Sequence, residues 1–195
     1  MSFAEPVPVR AGAEVVVGPA RRGVRSYVAF SGGIDVPPVL GSRSTDTLAG
    51  VGPAPLRAGD VLPLGSPTGS PAALDVAVPV RPGGPLRLWR GPRADWLTPA
   101  DWEVLTGSAY VVSPDSDRIG MRVLGPPLVR ANRGELPSEG MVLGAVQVPP
   151  SGLPVVFLHD HPVTGGYPVV AVVDARDVWR CAQARPGEPV RFVLR

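Results

Sequence analysis

Apolar positions along this chain fall into short Val-rich runs, separated by Gly, Pro and polar turn residues at the spacing of sandwiches and barrels. Eleven runs predict strands: Glu14–Gly18, Arg25–Ser31, Asp60–Gly65, Asp75–Val80, Leu86–Arg90, Ser108–Ser113, Arg118–Leu124, Met141–Val148, Pro154–His159, Tyr167–Asp174 and Val190–Leu194. Several, such as Val169 to Val173 after Pro168, are apolar without alternation, which predicts burial on both faces. Two windows carry helical signals. In Thr98-Pro99-Ala100-Asp101, Thr98 caps, Pro99 suits the first helical position and Asp101 closes a capping box, predicting a helix over Thr98–Leu105. The second spans Ala175–Ala184 and stops at Pro186-Gly187. Both are short enough to be plugs or lids on barrel ends, so the predicted class is all-β.

Composition narrows this further. With 26 Pro and 24 Gly in 195 residues, a helical bundle is excluded. A hydrophobic fraction of 44% against 18% charged excludes a disordered chain. Ser66–Pro71 and Pro82–Pro85 are the most linker-like stretches, which places a boundary near Pro85 and predicts domains at 1–85 and 86–195. All 19 basic residues are Arg, against 17 acidic ones, so the net charge of +2 makes no basic face. The cluster Arg87, Arg90 and Arg93 around Trp89 is too short for a nucleic-acid footprint. Cys181 is the only cysteine, which forbids an internal disulfide and fits a reducing compartment. No apolar run approaches the roughly 18 residues of a membrane span and no signal peptide is visible. The expectation is a soluble, cytoplasmic protein with neither nucleic-acid nor membrane partners.

Four segments carry candidate chemistry. In Ser31–Thr45, the pair Gly32-Gly33 allows close backbone approach, and Arg43 beside Ser44 suits a carboxylate or phosphate. It lacks the Lys of a Walker A loop and the helix of a dinucleotide fingerprint, and a structural turn competes with the ligand reading. In Ser113–Arg122, Asp115, Ser116 and Asp117 could hold a metal, but the Gly and distal Glu of a calcium loop are missing, and Ser113, Asp115, Arg118 and Arg122 are candidates for substrate or phosphate binding. The alternative there is an Asx-type turn with an Asp117–Arg118 surface ion pair. The stretch His159–Tyr167 holds both histidines. A shared metal between His159 and His161 lacks a third ligand, whereas His161 beside Thr164, Gly165 and Gly166 suits an acid/base group over a backbone-lined pocket. Glu139, just ahead of a very apolar strand, is a second proton-transfer candidate if partial desolvation raises its pKa. No G-x-S-x-G elbow supports a serine nucleophile.

Taken in order, Gly32–Thr45, Leu56–Asp60, Ser113–Arg122, Leu136–Pro149 and His161–Tyr167 resemble the biotin-dependent carboxyltransferase family, which includes the C subunit of 5-oxoprolinase and the second subunit of allophanate hydrolase. The resemblance covers the family's C-terminal two-thirds, and its Thr-Val-Gln-Asp-Leu-Gly-Arg-type opening is not found in this sequence. It implies a pair of cyclophilin-like β-barrels, the first incomplete. It also implies an ATP-dependent 5-oxoprolinase that opens the lactam of 5-oxoproline to glutamate, assembled with a companion cyclophilin-like subunit and a barrel-type hydrolase subunit. On that reading ATP is the co-substrate, His161 and Glu139 move protons, and Arg43, Arg118 and Arg122 face anionic groups. Biotin enters only on the alternative of a urea carboxylase-type carboxyltransferase module. A further alternative is a regulatory protein that antagonises a kinase inhibitor.

Overall fold

The computed structural model describes residues 5–71, 83–130 and 136–195. The chain divides into two compact units, Met1–Pro19 with Ser26–Val80, and Ala20–Arg25 with Arg81–Arg195. The second unit contains every named element. Its strands are β1 (Leu86–Arg90), β2 (Tyr110–Val112), β3 (Gly120–Leu124), β4 (Glu139–Gly140), β5 (Ala145–Gln147), β6 (Val155–Phe157), β7 (Thr164–Gly165), β8 (Val169–Val173), β9 (Pro189–Val190) and β10 (Phe192–Leu194). Its helices are α1 (Pro99–Gly107) and α2 (Ala175–Ala182), with a 3-10 turn at Ala94–Trp96.

Eight strands form one sheet in the order β10-β1-β8-β5-β6-β3-β2-β9. The terminal strands β9 and β10 are consecutive in the chain and only Arg191 separates them. One segment therefore pairs with both ends of the sheet, antiparallel to β2 and parallel to β1, which bends the sheet into a nearly closed barrel. The all-β, barrel-shaped expectation is met here.

Alternation along the strands divides the core into two layers. Val156 faces the main cluster with Leu88, Tyr110, Val123, Val146 and Phe192, whereas its neighbours Val155 and Phe157 face an outer cluster with Met141, Ala145 and Val169. Strands β5, β6 and β8 are therefore apolar almost throughout because both of their faces are covered. Both helices form where their caps lie. Thr98 Oγ1 accepts from the Asp101 amide at 3.2 Å and the Asp101 carboxylate accepts from the Thr98 amide at 3.1 Å, with Pro99 next in line. Asp174 caps α2 by accepting from the Arg176 amide at 3.1 Å.

The first unit departs from expectation. Glu14–Gly18, Arg25–Ser31 and Asp60–Gly65 are not strands, and the pairings described within this unit are isolated bridges at Ile34–Leu64, Val39–Ser42 and Asp46–Val51. Their side chains explain why: Val16 is 78% exposed, Tyr27 83% and Val61 92%, so no apolar face is covered to hold a ladder together. Asp75–Val80 lies outside the described residues. Sequence reading also misses the two-residue strands β4 and β7, which are too short to show a period.

Candidate functional site

The turn between β2 and β3 uses most of its polar groups on itself. Ser113 is buried and its Oγ accepts from the Asp115 amide at 3.1 Å. Ser116 Oγ accepts from the Arg122 amide at 3.1 Å, and Asp117 Oδ1 accepts from the amides of Ile119 and Gly120 at 2.8 and 3.0 Å. This is the Asx-type arrangement, and Arg118 pairs with Asp160 at 2.8 Å. Arg122 lies at an exposed position of β3, between the buried Met121 and Val123.

Asp160 belongs to the turn that follows β6. Its amide donates to the Arg118 carbonyl at 3.3 Å, and the Leu158 amide donates to the Ile119 carbonyl at 2.8 Å, so the two turns are stitched side by side. His161 follows directly. Its Nδ1 lies 2.8 Å from the Pro162 carbonyl, which can only accept, so Nδ1 carries a proton and it is Nε2 that offers a lone pair when the ring is neutral. The ring leans on Phe157, with centroids 6.2 Å apart. His159 sits in this turn and not on a strand, which removes the alternation that would have aimed both histidines at one metal. Among the described residues no group of three or more His, Cys, Asp or Glu side chains is placed to hold a metal ion.

Beyond His161 the chain enters the β4–β7 ribbon, in which Glu139 stands opposite Gly165 and Gly140 opposite Thr164. The Met141 amide extends it by donating to the Val163 carbonyl at 2.9 Å. Arg93 clamps the ribbon: its Nε and NH2 both donate to the Glu139 carboxylate, Nε at 3.1 Å. That hydrogen bonding holds the Glu139 carboxyl below its ordinary value. The expectation of a raised pKa is thus overturned, because a bidentate guanidinium outweighs partial desolvation. From below, Gln147 Nε2 donates to the Tyr167 carbonyl at 2.9 Å.

The turns flanking β3 and β6 thus set Arg118 against Asp160, next in sequence to His161, and the β4–β7 ribbon sets Glu139 opposite Gly165, between Thr164 and Gly166. Arg43 and Ser44 belong to the other unit. There Arg43 Nε donates to the Val36 carbonyl at 2.8 Å and its NH2 pairs with Asp35 at 3.3 Å, while the Ser44 amide donates to Ser42 Oγ at 3.1 Å. The arginines near Trp89 are committed individually, Arg87 to Asp177, Arg93 to Glu139 and Arg90 over the Trp102 ring at 4.5 Å, so they form no strip. Sequence reading misses Asp160, Arg93 and Gln147. Gln147 alone leaves a signal, as the one polar side chain within the run Met141–Val148.

Known proteins place the chain among relatives. A family model described as carboxyltransferase domain, subdomain A and B, matches residues 1–194. The C subunit of 5-oxoprolinase from Escherichia coli K12 is 36% identical over 190 residues, 96% of this chain and 61% of that protein. Urea amidolyase of Saccharomyces cerevisiae is 33% identical over 213 residues, 97% of this chain and 12% of that protein. The crystal structure of TTHA0988 superposes with a TM-score of 0.75 at 40% identity, over 91% of this chain and 34% of that one. The chain thus spans about three-fifths of the bacterial relative's length.

Proposed function

The chain belongs to the carboxyltransferase domain family, subdomains A and B, and from that membership we propose that it serves as one subunit of an ATP-dependent 5-oxoprolinase, a hetero-oligomer hydrolysing the lactam of 5-oxoproline to glutamate. The observation that carries this reading is the 36% identity to the C subunit of 5-oxoprolinase across 96% of the chain. The side-chain arrangement suits the task. Arg118, its guanidinium half-exposed beside Asp160, can take the substrate carboxylate, with Arg122 as a further cation on the same strand and turn. His161, its Nδ1–H anchored, offers Nε2 to accept a proton from water attacking the ring carbonyl carbon. Thr164, Gly165 and Gly166 follow His161 closely in the chain and carry no bulky side chain at the two glycines. Glu139, already ionised and held by Arg93, keeps the ribbon in place.

A lactam resists hydrolysis because its amide is resonance-stabilised, and ATP would supply a phosphate leaving group on the amide oxygen. On this reading ATP is the co-substrate of the complex, with a companion cyclophilin-like subunit and a barrel-type hydrolase subunit as partners. Reconstitution with those subunits tests the reading. Glutamate formation from 5-oxoproline that requires both this chain and ATP is expected, and formation without this chain would refute it.

The similarity to urea amidolyase favours a second reading, in which the chain is a carboxyltransferase module acting on urea or a related small amide with carboxybiotin as donor. Carboxylation of urea by a biotin-loaded partner, with no lactam opening, would select it.

A further inference from the structure

Gln147 lies on the face of β5 that also carries Ala145, over the outer apolar cluster, and is only 4% exposed. A carboxamide in such a place needs partners for both of its ends. Its Nε2 donates to the Tyr167 carbonyl at 2.9 Å and rests 3.4 Å from Met141 Sδ. A carbonyl only accepts, so this bond fixes which end is which. A Cβ on Gly165 would stand 3.0 Å from the same Nε2, which places the carboxamide directly under the glycine segment of the candidate site. Among the described residues no hydrogen bond to Oε1 is made, while Nε2 is engaged. An acceptor of fixed orientation is thus left unsatisfied on the carboxamide that lies beneath Gly165.

We propose that Gln147 Oε1 accepts a hydrogen bond from the amide N–H of the bound substrate, so that Gln147 selects ligands of the lactam or urea class. This rests on the reading above that the chain handles a small amide. The chemistry is general: a nearly buried acceptor that a ligand N–H would satisfy discriminates against an analogue with that position blocked. An anionic ligand without N–H gains nothing there.

The test titrates the full chain by calorimetry with 5-oxoproline and N-methyl-5-oxoproline, and with urea and tetramethylurea. The native protein should prefer the N–H member of the matching pair by about tenfold, and the pair that binds identifies the substrate source. In Gln147→Met, which conserves volume without an acceptor, the preference should vanish. A preference undiminished in Gln147→Met overturns the proposal and leaves the small-amide reading standing. Failure of all four compounds to bind the native protein overturns both. If Gln147→Met does not fold, the 13C resonance of the native Gln147 carboxamide decides. It must move with the N–H ligand and not with its methylated analogue; equal response to both refutes the role.

Discussion

Asp160 joins Arg118 to His161: its carboxylate holds the Arg118 guanidinium at 2.8 Å, and it is the residue immediately before His161. Forty-two positions separate Arg118 from Asp160, and the contact exists because β3 and β6 pair antiparallel, with Gly120 opposite Phe157. Exchanging Arg118 for Lys keeps the charge but loses the planar fork. We expect R118K, reconstituted with partner subunits, to raise the KM for an anionic substrate about tenfold. Steady-state kinetics with an unchanged KM would count against a substrate-facing guanidinium.

His161→Ala removes the proton acceptor without touching the barrel core. The expected loss is in kcat, about 100-fold or more, while co-elution with partner subunits stays intact. A variant turning over at the native rate would exclude His161 from proton transfer.

Much of the second unit is legible in its residues. Short apolar runs with turn punctuation mark β1, β3, β6 and β8, and the Thr98–Asp101 box marks the start of α1. The site is legible only in fragments. Glu139 looks like a desolvated carboxyl because its partner Arg93 lies 46 positions away, and nothing local connects them. Gln147 sits in an apolar strand whose outer cover, the β4–β7 ribbon, consists of strands too brief to have a pattern. In the first unit, Val-rich runs are read as strands, but propensity alone does not supply a neighbouring strand.

Asp177 is buried and shared by two guanidiniums, Arg87 Nε at 2.7 Å and Arg180 NH1 at 3.0 Å. The Arg87 hydrogen bond first, then backbone and Arg180 contacts, push its carboxyl down to about 2. A depressed folded-state pKa stabilises above the ordinary value of 3.8, and that contribution is lost as pH falls from there toward about 2. Thermal melts between those limits should show Tm falling with pH, and Asp177→Asn should flatten that slope. At neutral pH D177N should cost about 3 kcal/mol, since it leaves Arg180 buried beside a neutral amide. Urea denaturation measures the difference.

Gly91 follows β1, where the chain passes close over β8. A Cβ there would lie 2.5 Å from the Val169 carbonyl oxygen and 2.9 Å from the Ala171 nitrogen. The Val169 carbonyl accepts from the Arg93 amide at 3.0 Å and Ala171 is registered with Arg90, so neither backbone atom can move without disturbing these pairings. Gly91→Ala should therefore destabilise by several kcal/mol, roughly 3 or more, whereas Gly107→Ala, with open space around it, should cost nothing measurable. Equal denaturation midpoints for the two variants would contradict the packing at Gly91.

Closure of the barrel at Arg191 gives residues 189–194 the role of a keystone. Without that segment the sheet would carry two open hydrogen-bonding rims, one along β1 and one along β2. A single six-residue stretch quenches both at once, because its two short strands run to opposite ends of the same ladder. Removing it would open the sheet at β1 and at β2, and species with such open edges self-associate edge to edge.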